Sequence, residues 1–198
     1  MSVIVGIIHK GVVYIGSDSQ LTKGGTKKNY NHPNNRKIWH PDGREHLLMG
    51  SSGVLKGINT IKSINGIIDQ KTLSENTLNY SFVVRNVARK IMESMEEVKL
   101  IDSKDYNPKM LNEFLFANND ELFMIGSDGS VLQIDDFTAI GSGAIESIGS
   151  LLSTESEEPR TRIIKAIEAA IQNDIYVGYP IVIMSTKNQS AEIIQGKE

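Results

Sequence analysis

Short β-rich runs alternate with helix-period stretches along this chain, and they come in blocks. Residues 3–9 and 12–17 are dominated by Val, Ile and Tyr and separated by Lys10-Gly11, which predicts a hairpin that begins almost at the first residue. From 18 to 35 the chain turns polar and Gly/Asn-rich, which predicts a long surface loop of the kind that is usually functional or mobile. A second hairpin is expected over 36–40 and 45–50 around Pro41-Asp42-Gly43-Arg44. After Gly50-Ser51-Ser52-Gly53 the period lengthens. Val54, Leu55, Ile58, Ile61 and, after a slip, Ile64, Ile67 and Ile68 predict a helix with Ser51 or Ser52 near its N-cap.

A longer helix is expected over about 76–99, with Val83, Val84, Val87, Ala88, Ile91, Met95 and Val98 as its stripe. Residues 101–111 read as loop. Strands follow at 113–117, 122–126 and Val131–Ile134, and a run at 137–140 leads into Gly141-Ser142-Gly143. Helices are expected over about 144–152 and 160–173, then strands at Ile181–Ser185 and 191–194. Because strands and helices come in runs, an α+β layered fold is favoured over parallel βαβ units. Two antiparallel sheets packed face to face and flanked by helix pairs, a four-layer αββα sandwich, would bury every apolar stripe.

Composition narrows the chemistry. The 198 residues read as one domain over 1–198, long enough to bury roughly 70% of the unfolded surface without a disulfide or structural metal. The absence of cysteine removes thiol nucleophiles, zinc ribbons and disulfide frameworks. With 21 basic against 24 acidic residues and no basic stripe, nucleic acid is not expected as a partner. The apolar start lacks a cationic lead and meets charge within ten residues, so neither a signal peptide nor a membrane span is expected, and a soluble, cytoplasmic protein is. His9, His32, His40 and His46 lack metal-ligand spacing, and no phosphate loop or Gly-x-Ser-x-Gly elbow is present.

What stays open is a hydroxyl at the chain start. Removal of Met1 would leave Ser2 with its nucleophile and its base on one residue, because an α-amine of pKa about 8 can accept the Oγ proton. Asp18 ends the second strand and Lys37 starts the third. If the two hairpins lie side by side in one sheet, Ser2, Asp18 and Lys37 meet at one edge, where Lys37 lowers the pKa of hydroxyl and amine and Asp18 holds the ammonium. Taken singly, Asp18 reads as a turn cap and Lys37 as a solvated strand-end charge. Gly50-Ser51-Ser52-Gly53 offers backbone N–H groups at a strand-to-helix junction, suited to an oxyanion or simply to an N-cap.

In this order and spacing the motifs resemble the β-type subunits of the proteasome and the bacterial proteasome-like peptidase that works with an ATP-driven unfoldase. The likeness covers nearly the whole chain: Ser2-Val3-Ile4-Val5-Gly6-Ile7, then Gly16-Ser17-Asp18-Ser19-Gln20-Leu21-Thr22, Arg36-Lys37-Ile38, Met49-Gly50-Ser51-Ser52-Gly53 and Ala139-Ile140-Gly141-Ser142-Gly143. The resemblance implies an N-terminal nucleophile hydrolase fold, with Ser2 on the catalytic threonine, Asp18 and Lys37 on the catalytic pair, and Gly50 as the oxyanion donor. It also implies Ser142 and Asp174 as supporting residues. Leu21, Asn35, Leu48 and Ser52 would line a pocket for an apolar or small residue before the cut.

The implied partners are a peptide or unfolded protein substrate, a homo-oligomeric ring and an ATP-dependent unfoldase. Serine lacks the methyl that fixes threonine's χ1, so a slower nucleophile is expected. Ala144 and Val177 stand where eukaryote-like subunits carry supporting serines. Asn173, Tyr176 and Tyr179 match an ion-binding loop that Gly178 and Pro180 alter, and no metal or cofactor is expected. A non-catalytic ring or scaffold protein that keeps Met1, and a small-amide hydrolase, are the rival readings.

Overall fold

A computed structural model describes residues 2–29, 32–64, 67–68, 79–102 and 107–196. The first hairpin forms as expected from β1 (Val3–His9) and β2 (Val12–Ser17). β5 (Ile38–Trp39) and β6 (Leu47–Gly53) make the second, after a ribbon of β3 (Gln20–Lys23) and β4 (Thr26–Asn29). Helix α1 (Leu55–Lys62) follows; then Tyr80–Phe82, a π-helical Val83–Ala88 and Arg89–Glu97 run on as one rod, α2. The short pair β7 (Ile101–Asp102) and β8 (Lys109–Met110) precedes β9 (Asn112–Asn118), β10 (Glu121–Ile125), β11 (Val131–Ile134) and β12 (Phe137–Gly141). Helices α3 (Ala144–Ser153) and α4 (Pro159–Asn173) and strands β13 (Ile181–Ser185) and β14 (Asn188–Ile194) complete the chain.

The strands build two five-stranded antiparallel sheets, ordered β12-β1-β2-β13-β14 and β11-β10-β9-β6-β5. Three apolar layers hold the stack. Val3, Val5 and Ile7 face α3 and α4, where Leu151, Ile163 and Ile167 close on them. Ile4 and Ile15 meet Leu48, Leu115 and Leu122 between the sheets. Leu47, Met49, Phe114 and Phe116 face α2, whose Val83, Val87, Ile91 and Met95 form the predicted stripe. Burial on both faces explains why β1 and β6 open as continuous apolar runs rather than alternating ones. Each such side chain contributes about 1.5–3 kcal/mol. The fold is the expected αββα sandwich.

Several expectations change. The two hairpins lie in different sheets, so the ends of β2 and β5 approach each other across the sandwich and not within one sheet. The 18–35 stretch holds the β3–β4 ribbon, whose outer strand is exposed throughout. Helix α1 is capped by Val54, with Ser51 and Ser52 still inside β6, and ends at Lys62, so Ile64, Ile67 and Ile68 lie beyond it. Residues 76–78 of the expected long helix fall outside the described residues, as do Met1 and 103–106. β14 starts at Asn188, three residues before the apolar run that marked it. No helix of the described residues is long and apolar enough to cross a membrane.

Candidate active site

Ser2 immediately precedes β1 and is 2% exposed. Its backbone N–H donates to Ser142 Oγ at 3.2 Å, and Ser142 Oγ donates back to the Ser2 carbonyl at 3.4 Å. The Gly143 N–H adds a contact to that carbonyl at 3.4 Å. Gly141 makes this closeness feasible: its φ is +96°, and a Cβ there would collide with the Ser2 carbonyl and crowd Ser52 Oγ. The start of β1 is thus clamped against the end of β12, its register neighbour.

Asp18 follows β2 directly and is fully buried. Its N–H donates to Val3 O at 3.3 Å, which sets the carboxylate beside the Ser2–Val3 peptide. Oδ1 accepts from Val3 N–H at 3.1 Å and from Lys37 Nζ at 2.7 Å. Oδ2 accepts from Gln20 N–H at 3.1 Å and Gly178 N–H at 3.2 Å. Lys37, 1% exposed, also donates to Gln20 O at 2.8 Å. Burial pushes the Lys37 amine below the ordinary lysine range, opposed by the adjacent Asp18 carboxylate and more weakly by Asp174. It therefore gives up a proton more readily than a surface lysine.

Asp174 caps α4, and its Oδ1 accepts from Tyr176 N–H at 2.8 Å. Its Oδ2 is buried with no hydrogen-bond partner among the described residues. The 174–178 loop is laced to the 18–20 segment by Ser19 N–H to Gly178 O at 3.1 Å and by Gln20 Nε2 to Ile175 O at 2.7 Å. Ser2, Asp18, Lys37, Ser142 and the Asp174 loop are thus gathered at one end of the sandwich, between the sheets.

Gly50 is not part of that gathering. In β6 the Ser51 N–H donates to Lys37 O at 2.9 Å on the β5 side, while Asn119 N–H donates to His46 O at 2.9 Å on the β9 side. Amides alternate along an antiparallel strand, so Gly50 N–H points to β9, opposite Leu115. The amide that points to the β5 side beyond Lys37 is that of Gly53, whose partner in register would be Asn35, already folded into the turn Pro33–Asn35. Gly53 has φ +122°, and a Cβ there would strike Leu111 O. The second glycine of Gly-Ser-Ser-Gly, not the first, offers the N–H.

The expected pocket divides in the same way. Leu21 and Asn35 are partly exposed, and Ser52, 5% exposed, faces Gly141. Leu48 is fully buried between the sheets and cannot line a pocket. Ser51 is fully buried as well; it stands opposite Lys37, whose carbonyl accepts its N–H, and its Oγ accepts from Asn112 Nδ2 at 3.2 Å. Gly53 and Gln20 were the residues missed. Counting strand parity back from the helix start is the signal that finds the first.

An αββα sandwich with a serine at the head of its first strand and a lysine–aspartate pair across the sheets has the fold of the N-terminal nucleophile hydrolases. The profile of the proteasome subunit family matches residues 2–185, and the chain belongs to that family. Its fold is similar to that of BPH from Thiobacillus denitrificans, solved in complex with epoxomicin (17% identity, 92% of this chain and 97% of that one, TM-score 0.68). It is similar also to Anbu from Hyphomicrobium sp. strain MC1, in a Gly-1 mutant (15%, 100% and 89%, 0.69), and to HslV from Trypanosoma brucei (15%, 92% and 98%, 0.62). No curated protein matches the sequence. The family supports a proteasome-type peptidase or a scaffold of that fold.

Proposed function

We propose that the chain is a peptidase whose nucleophile is Ser2, exposed by removal of Met1. The observation that carries this reading is the Asp18 carboxylate, which ties the Lys37 ammonium to the peptide beside Ser2 in a fully buried site. An ion pair so placed costs desolvation that an apolar pair would avoid, which favours a chemical role for it over a structural one.

In this reading the Ser2 nitrogen, now an amine next to Ser142 Oγ, takes the Oγ proton as Oγ attacks the scissile carbonyl. Lys37 lowers the energy of the developing alkoxide. The Gly53 N–H faces the tetrahedral oxyanion. The C–N bond then breaks, the leaving amine takes the proton, and an ester remains on Ser2. Water attacks the ester, passes a proton to the amine, and the C–O bond breaks to return that proton to Oγ and release the acid. Asp18 keeps Lys37 and the chain start in register, and Asp174, whose field reaches Lys37, supports the cationic form.

An uncaged peptidase would endanger the cytoplasm, so we propose a homo-oligomeric chamber, fed by an ATP-dependent unfoldase. Exposed apolar side chains on and beside the outer helix layer support a contact between copies: Ile145 is 83% exposed, Leu152 59% and Ile175 65%. Fluorogenic peptides tested on the wild type and Ser2→Ala decide the reading: hydrolysis lost in the variant is expected, and equal rates would remove Ser2 from the mechanism.

A further inference from the structure

No step above uses Lys62, in the last turn of α1. Its Nζ donates to Asn34 O at 3.1 Å and to Arg36 O at 3.0 Å, and stands 5.5 Å from the centre of the Trp39 ring. These three contacts bracket Lys37: two on the chain leading into it and one on the strand leaving it. The leading stretch is otherwise lightly held. Pro33–Asn35 is one turn, exposed at Pro33 and Asn34 and half-buried at Asn35, tied by Asn34 N–H to the His32 ring at 3.2 Å, by Asn35 N–H to His32 O at 2.8 Å and by Arg36 N–H to Pro33 O at 3.3 Å. Yet it must deliver Lys37 to within 2.7 Å of Asp18 in the opposite sheet.

Among the described residues no carboxylate pairs with Lys62. Burial, and then the neighbouring Arg36 guanidinium, push its pKa down to about 8. A cation kept in a place that disfavours it, with its donors spent on two loop carbonyls, is a brace and not a solubilising surface charge. The Trp39 ring rewards the same placement.

We propose that Lys62 is a positioning residue that fixes the approach of Lys37 to Asp18 by pinning the carbonyls of Asn34 and Arg36, and that it holds Asn35 at the pocket wall by the same two bonds. Its kinetic consequence rests on the peptidase reading; its structural consequence does not. The test compares the full-length wild type with Lys62→Met, which keeps the stem over Trp39 and loses the donors, and with Lys62→Arg, which restores donors and charge.

Two readouts are taken. In peptide hydrolysis, Lys62→Met lowers kcat by roughly tenfold to a hundredfold, KM moves less, and Lys62→Arg recovers most of the rate. In labelling with an amine-acylating reagent, read by peptide mass spectrometry, Lys37 is protected in the wild type and in Lys62→Arg and becomes reactive in Lys62→Met. Both variants keep the cooperative melting transition of the wild type. A Lys62→Met chain with unchanged kcat and a protected Lys37 overturns the proposal, and so does one that loses its cooperative fold, because the role proposed is local. If the wild type cleaves no peptide, the peptidase reading falls and the labelling alone decides: exposure of Lys37 upholds the brace, continued protection rejects it.

Discussion

Replacing Asp18 with asparagine should unsettle the fold more than removing its partner lysine does. The carboxylate accepts four hydrogen bonds, two on each oxygen. An amide can accept at only one of the two, so in either orientation its NH2 faces two donors: Val3 N–H with Lys37 Nζ, or Gln20 N–H with Gly178 N–H. The substitution also leaves a buried ammonium with the Gln20 carbonyl as its remaining acceptor. Breaking a buried pair in this way costs about 3–5 kcal/mol, a large part of the roughly 5–15 kcal/mol that holds a domain together. Lys37→Met leaves the carboxylate with three backbone N–H donors and should cost less, about 1–3 kcal/mol, near that of one charge-assisted hydrogen bond. Urea unfolding followed by the fluorescence of Trp39, the chain's only tryptophan and two residues from Lys37, measures both at one fixed protein concentration. A loss below about 1 kcal/mol for Asp18→Asn, or a larger loss for Lys37→Met, would refute the electrostatic account of the site.

Ser142→Ala removes the acceptor that faces the Ser2 nitrogen; it should cost only about 1 kcal/mol of stability while hydrolysis falls severalfold, and urea melts beside peptide assays compare the two. A crystal structure with a peptide boronate on Ser2 should place a boronate oxygen within hydrogen-bond reach of Gly53 N–H, and contact with Gly50 N–H instead would reverse the parity argument. The pKa of Lys62, lowered to about 8, means that the folded chain binds fewer protons than the unfolded one between there and the ordinary lysine value of 10.5. Its contribution to stability therefore rises with pH across that window and is flat below it. The difference between wild type and Lys62→Met in unfolding midpoints from pH 7 to 10 should show that slope, and a falling difference would contradict it.

Much of this was legible because the site is built from strand ends, and strand ends are marked by residues that break an apolar run. Ser2 and Asp18 bound the first hairpin, so their closeness follows from pairing alone. Which sheet receives β5 did not follow, since β12 and β13 flank the first hairpin through contacts far apart in sequence that no local period encodes. The slip from Gly53 to Gly50 comes from the motif match, which took the first glycine of Gly50-Ser51-Ser52-Gly53 as the donor and carries no strand parity. Ser51, Ser52 and Gly53 have no large apolar side chain, so nothing in their pattern says that β6 continues through them. The β3–β4 ribbon was invisible for a related reason: its outer strand Thr26–Asn29 is fully exposed and polar, and has no buried face to impose alternation.

The central claim is that the amine and hydroxyl of Ser2 act together at the head of the chain. Intact-mass analysis of the purified protein, before and after brief exposure to a slowly deacylating peptide ester, tests it most directly. The account predicts a chain that begins at Ser2 and gains one acyl group, mapped to Ser2 in the N-terminal peptide. A chain that retains Met1, or an acyl group that never appears on Ser2, would contradict it.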